Sequence, residues 1–305
     1  MIEPLTEHHA ALLGRQSRLA VAFLLDLIAI SRGSSDLLDS LLIATIIQAN
    51  VEAISRRPEV HAAFAQSDAL PPDEMRRPVS VSALANSLKL PFETVRRRVA
   101  RLARQGTCAQ VDGGLIVPAA VLAAPEFYAA ALGGFERLRA YYNQLSDLSL
   151  LGDLPPPTDP ISAGAFPVRA VARLAGNYVL RAVEATGAGG DLLDGLILLE
   201  MYRSNVEAWP AEREIRPQGA VLTPTAVAAL AARIGVPSET VRRRVASLMD
   251  NGVCARVRGG VVITARGLSE PALQSAIGSS TSNVSRLFGP LSQLGVLRIW
   301  DGFRL

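Results

Sequence analysis

Residues 91–118 read PFETVRRRVARLARQGTCAQVDGGLIVP, and residues 237–264 read PSETVRRRVASLMDNGVCARVRGGVVIT. Set side by side without a gap, at an offset of 146, they agree at 16 of 28 positions. Each copy opens on a proline and continues with apolar residues every three to four positions: Val95, Val99 and Leu102, then Val241, Val245 and Leu248. That spacing predicts a helix with one buried stripe. Proline suits the first turn of such a helix, and Gly106 and Gly252 suit its end. Beyond each glycine, two short β-prone runs flank Asp112-Gly113-Gly114 or Arg258-Gly259-Gly260, a hairpin-turn signal.

Upstream, Ser80 is placed to cap a short helix over Val81–Ser87, with Leu84 and Leu88 inside and Lys89-Leu90-Pro91 as the turn. In the second copy Thr223-Pro224 should open the equivalent helix, Gly235-Val236-Pro237 should make the turn, and Ser238 should cap the next helix. Helix, tight turn, helix and two-stranded hairpin is the winged helix-turn-helix plan. The block resembles the winged-helix DNA-binding domains of bacterial regulators, particularly the cyclic-AMP-receptor-protein and GntR kinds. PFETVRRRVARLARQG with VDGGLIV, and PSETVRRRVASLMDNG with VRGGVVI, carry the resemblance, which spans about 40 residues in each half. It implies a mainly α fold with small β wings, and double-stranded DNA as the partner. The flanking helical segments resemble no family, and nothing in the sequence resembles a cyclic-nucleotide β-barrel.

A second match lies further upstream. Residues 36–54 read DLLDSLLIATIIQANVEAI, and residues 191–209 read DLLDGLILLEMYRSNVEAW, at an offset of 155. The nine-residue difference falls between the matches, in Ser55–Pro78 against Pro210–Val221, where a loop absorbs a length change. The boundary between halves falls at Asp153–Pro160, DLPPPTDP, which cannot continue a helix. The expected organisation is two tandem repeats. Residues 1–153 would hold N-terminal helices, a winged helix at about 79–118 and a helical tail. Residues 154–305 would hold the same parts, with the winged helix at about 222–264. In the DLLD motifs, Asp36 and Asp39, like Asp191 and Asp194, suit a helix N-terminal turn, where carboxylates favour the dipole.

A helical wheel at 100° per residue separates the faces of residues 92–104. With Val95 at zero, Arg97 falls at about 200°, Glu93 at about 160°, Arg104 at about 180°, Arg101 at about 240° and Thr94 at about 260°. Glu93, Thr94, Arg97 and Arg101, with Glu239, Thr240 and Arg243, are therefore the expected base-reading set. Glutamate accepts from cytosine N4, and arginine forks onto guanine. The resemblance implies the same roles for Glu93, Arg97, Glu239 and Arg243. Arg96, Arg98, Arg104, Arg242 and Arg244, with Arg256 and Arg258 in the second wing, are the expected phosphate contacts. The first wing has Gln110 and Asp112 in the places of those two arginines, so its contact should be weak or absent. Residues 92–118 and 238–264 each carry five arginines against one glutamate and one aspartate. Each is therefore +3, which leaves the rest of a +3 chain near −3.

The other features exclude more than they assert. Thirty of the 31 cationic residues are arginine, Lys89 being the exception. Cys108 and Cys254 sit at matched places and read as small buried core residues, consistent with a reducing cytoplasm. The apolar run Leu19–Ile30 contains Asp26 and is too short for a bilayer, so no membrane partner is expected. The acidic flank Glu3 and Glu7 argues against a signal peptide. His8, His9 and His61 form no zinc spacing, GAGG at 187–190 lacks the context of a dinucleotide site, and no nucleophile motif has a base. The expectation is a cytoplasmic, nucleoid-associated bacterial transcription regulator, neither an enzyme nor a cofactor protein, reading two half-sites. Its helices Leu19–Ile30, Leu37–Ala49, Val168–Leu180 and Leu192–Met201 would be largely buried. They would pair the halves as a pseudo-two-fold, with a homodimer between chains as the competing arrangement. Alternative readings are a replication initiator or plasmid-maintenance protein, and a winged-helix module that binds proteins. Tyr141, Tyr142 and Trp300 read as core or interface residues.

Overall fold

The structure is a computed structural model, and it describes residues 9–55, 63–64, 70–158, 167–210 and 221–302. Glu3, Glu7, His8, His61, parts of both variable loops and the end of the linker at Asp159-Pro160 lie outside the described residues. Among the described residues the chain is mainly helical, with two small antiparallel sheets. Helices α1 (Ala10–Leu13), α2 (Arg15–Arg32) and α3 (Leu37–Ser55) come first. They are followed by a 3-10 turn at Asp73–Met75, α4 (Val81–Leu88), α5 (Phe92–Arg104), the hairpin β1 (Ala109–Val111) and β2 (Gly114–Ile116), α6 (Ala119–Leu122) and α7 (Pro125–Asp147). Then come α8 (Val168–Ala188), α9 (Leu192–Val206), α10 (Val227–Ile234), α11 (Ser238–Asp250), the hairpin β3 (Cys254–Val257) and β4 (Gly260–Ile263), α12 (Ala265–Leu268), α13 (Pro271–Ser282), α14 (Val284–Gln293) and α15 (Val296–Gly302).

Residues 79–118 and 222–264 show the same succession of elements for visible local reasons. The Ser80 hydroxyl accepts a hydrogen bond from the Ala83 amide at 3.2 Å, capping α4. Lys89 and Gly235, both left-handed, end α4 and α10. Val95, Val99 and Leu102 are buried under α5, as are Val241, Val245 and Leu248 under α11. The hairpins share a register, with Ala109 opposite Ile116 and Ala255 opposite Val262. The second glycine of each turn is required by a third backbone. Val79 bridges to Leu115, and Thr225 to Val261. A Cβ at Gly114 would lie 2.5 Å from the Val79 carbonyl oxygen, and one at Gly260 would lie 2.3 Å from that of Thr225.

Two boundaries differ from the sequence reading. Helix α10 begins at Val227 and not at Thr223-Pro224, because Thr225 is spent on mutual backbone hydrogen bonds with Val261. Ser238 is the first helical residue of α11 and not its cap. Pro237 holds the capping position, without a side-chain hydrogen bond.

One buried polar residue in each block ties helix to hairpin. Asn50, fully buried in α3, donates to the carbonyls of Arg77 (2.8 Å) and Leu115 (3.1 Å) and accepts from the Val117 amide (2.9 Å). Asn205, equally buried in α9, donates to Thr223 (2.8 Å) and Val261 (3.2 Å) and accepts from Ile263 (2.8 Å). An asparagine with all three positions satisfied fixes orientation. Losing it would leave buried backbone groups unpaired.

The described residues divide into two compact units. Unit one comprises Met1–Ala29, Ser34–Leu37 and Arg181–Ser282; unit two comprises Ile30–Gly33, Leu38–Leu180 and Asn283–Leu305. Neither unit is a sequence half. In unit one, Arg203 of α9 pairs with Asp26 of α2 at 2.8 Å, and the Tyr202 hydroxyl donates to the Leu12 carbonyl. In unit two, Tyr141 and Tyr142 of α7 pack on Phe288 of α14, and Trp300 of α15 stacks edge-on to Phe135 at 5.6 Å between centroids. Tyr141, Tyr142 and Trp300 are thus core residues. So are the free thiols of Cys108 and Cys254, the latter pushed up to about 11 by burial. The buried faces expected of α2, α3, α8 and α9 are also present.

Candidate nucleic-acid interface

Helices α5 and α11 each turn one face to the core and one to solvent. On α5 the exposed residues are Phe92, Glu93, Arg96, Arg97, Ala100, Arg101 and Arg104. On α11 they include Ser238, Glu239, Arg242 and Arg243. The solvent stripe is centred nearer Arg96 and Arg242 than the helical wheel suggests. Thr94 and Thr240, expected among the outward residues, are only partly exposed.

The reason for the rotation is a set of carboxylates on the other flank. The Arg98 guanidinium donates to Asp39 Oδ1 at 2.7 Å, and Arg101 donates to the other oxygen of the same carboxylate. Asp39 sits in the first turn of α3 with its side chain only 12% exposed. In the second block Arg244 pairs with Asp191 at 2.8 Å and with Asp194 at 3.0 Å. Asp191 meanwhile caps α9, accepting from the amides of Leu193 (2.9 Å) and Asp194 (3.1 Å). Burial pushes the Asp194 carboxyl above its ordinary value, and the nearby Arg244 opposes that push. Arg98 and Arg244, expected at phosphates, and Arg101, expected at bases, are therefore held against the protein's own aspartates. The second DLLD supplies both a helix cap and the partners of Arg244, and the first supplies the partner of Arg98 and Arg101. Two repeated motifs of opposite charge, DLLD and RRR, were the sequence signal for it.

The exposed row carries a second kind of pairing. Arg96 binds Glu93 through two hydrogen bonds of 2.8 and 2.7 Å. Arg242 grips Glu239 at 2.7 and 2.8 Å, and Arg243 adds a third bond at 2.7 Å. Arg242 and then Arg243 pull the Glu239 carboxyl down to about 2, and Arg96 lowers that of Glu93. Both glutamates are therefore charged acceptors at neutral pH. Pairs this exposed are weakened by water and salt and exchange readily for other partners. Arg97 is exposed and makes no ion pair among the described residues. Arg104, also exposed, donates to the Ala100 carbonyl at 3.3 Å.

On the hairpins, Arg256 and Arg258 are exposed and make no ion pair among the described residues. Gln110 and Asp112, also exposed, occupy the corresponding places on β1–β2. Each block thus presents charged acceptors beside fork-shaped donors on one helical face, and the second block adds cations from its hairpin. That is a chemistry suited to base edges and phosphates.

Among the described residues there is no group of three or more His, Cys, Asp or Glu side chains able to hold a metal ion, and no helix is long and apolar enough to cross a membrane. Comparison with known protein families, curated proteins and solved structures finds no match to this chain.

Proposed function

We propose that the chain is a sequence-specific, double-stranded-DNA-binding transcription regulator. It is a tandem duplication in which two winged helix-turn-helix modules each read a half-site in the major groove. The observation that carries this reading is the pair of solvent-facing rows, Glu93, Arg96 and Arg97 on α5 and Glu239, Arg242 and Arg243 on α11. Each row lies on a helix stiffened by a buried underside. Arg97 and Arg243 serve as guanine readers, and Glu93 and Glu239 as acceptors for cytosine N4. Arg96, Arg104 and Arg242, with Arg256 and Arg258 of the second wing, neutralise phosphates. Arg98, Arg101 and Arg244 are left out of the contact set, because Asp39, Asp191 and Asp194 hold them.

The test is recovery of bound DNA across the genome, followed by binding to the recovered site over a salt series. Arg97→Ala and Arg243→Ala should each cost roughly 1–3 kcal/mol and relax preference at one position, while Arg96→Ala should weaken all sequences alike. Equal effects of the three on every sequence, or binding insensitive to salt, would overturn the proposal.

A further inference from the structure

Phe92 is one of four large apolar side chains exposed among the described residues, at 50%. It is the first residue of α5, on the same solvent face as Glu93, Arg96 and Arg97. Its ring makes no aromatic or cation–π contact among the described residues. The fold does not call for it. The matched helix α11 opens Ser238-Glu239-Thr240-Val241-Arg242-Arg243-Arg244-Val245, with serine in its place and the same buried stripe beneath.

An apolar ring held in water at the tip of a cationic helix has few partners that suit both its chemistry and its surroundings. Arginines on the next turn favour a polyanion over a protein groove. The N-terminal residues of a helix laid in the major groove approach the base edges. The apolar group displayed on those edges is the C5 methyl of thymine, and a phenyl ring is among the side chains that contact it. We infer that Phe92 is a specificity-determining residue, which packs on a thymine methyl in the half-site read by α5. Ser238 gives the other half-site no such dependence. The inference rests on the DNA-binding reading above, and it makes the two half-sites chemically unequal.

The test uses the full chain and the DNA site selected from a random library. Each thymine is replaced singly by uracil, which removes the methyl and nothing else. One replacement, in one half-site, should weaken wild-type binding about fourfold, the factor expected for one buried carbon. Phe92→Ser should abolish that sensitivity while its melting temperature stays near wild type. Ser238→Phe should create a matching sensitivity in the other half-site. Tight, sequence-specific binding indifferent to every thymine-to-uracil replacement would overturn the inference and leave the DNA-binding reading standing. Failure to select any site would overturn both. The wild-type replacement series decides the matter even if a substituted protein fails to fold.

Discussion

The block of α5 with β1–β2 and the block of α11 with β3–β4 share helix boundaries, hairpin register and a buried asparagine, yet they differ in charged dress. The second hairpin carries Arg256 and Arg258 where the first has Gln110 and Asp112. Arg101, tied to Asp39, becomes Ser247 in the second block, and Phe92 becomes Ser238. Beneath α10, Glu200 is buried against Arg203, Ser204 and Arg233, whereas the matching four residues of the first block are Thr45, Gln48, Ala49 and Ser87. The helix stripes, the buried asparagine and the exposed Glu-Arg-Arg rows are repeated, whereas the hairpin charges, Phe92 and the buried Glu200 cluster are not. On the proposed function the second module is the electrostatic anchor, and the first is the more selective reader.

The shared part should break hardest. Asn50→Ala or Asn205→Ala leaves one amide and one carbonyl unpaired in the interior, since Leu115 and Val261 keep their bonds from Val79 and Thr225, and each should cost about 3 kcal/mol of stability in denaturant titrations. A much smaller loss at one site would show that the two asparagines are not equivalent. Exchanging the hairpin charges comes next. Arg256→Gln with Arg258→Asp should lower DNA affinity roughly tenfold and flatten the salt dependence by about 0.9 per lost phosphate contact. Gln110→Arg with Asp112→Arg should do the opposite. Asp39→Asn should release Arg98 and Arg101, which would steepen the salt dependence while costing about 1 kcal/mol of stability, since Arg101 is already 45% exposed. Unchanged DNA binding would show that the freed arginines do not reach a duplex.

The smallest effect concerns pH. Burial raises the Glu200 carboxyl above its ordinary 4.5, against the pull first of Arg203 and then of Arg233 and Ser204. The folded carboxyl therefore keeps its proton to higher pH than the unfolded one, and its contribution to stability is lost as pH rises above 4.5. Glu200→Gln should gain on wild type in thermal melts as the pH rises above 4.5, and the gain should level off once the folded carboxyl is ionised. A flat difference would mean that its arginines fully compensate its burial.

Local features were legible in the sequence because local chemistry decides them. The stripe Val95-Val99-Leu102, the stops at Gly106 and Gly252 and the double-glycine turns all stand where periodicity and backbone freedom put them. The exposed rows were legible in outline. Their rotation toward Arg96 was not, because Asp39 lies 59 residues from Arg98 and a wheel sees only one helix. The start of α10 was misplaced because Thr223-Pro224 looks like a helix opening until the pairing of Thr225 with Val261 is known. Unit composition was hardest to read. Helices α2 and α8 are both broadly apolar, and pairings such as Asp26 with Arg203, 177 residues apart, leave no local mark.

The interleaving of the units bears on how the chain is made. Chains emerge from the ribosome N-terminus first, and domains generally fold as units in that order. Here the segment up to Ala29 must wait for residues 181–282, and the aromatic cluster around Tyr142 stays open until Phe288 and Trp300 have been translated. Neither unit closes early. A chain cut short before residue 282 leaves both units without part of their residues, and both would be open to proteases and chaperones together.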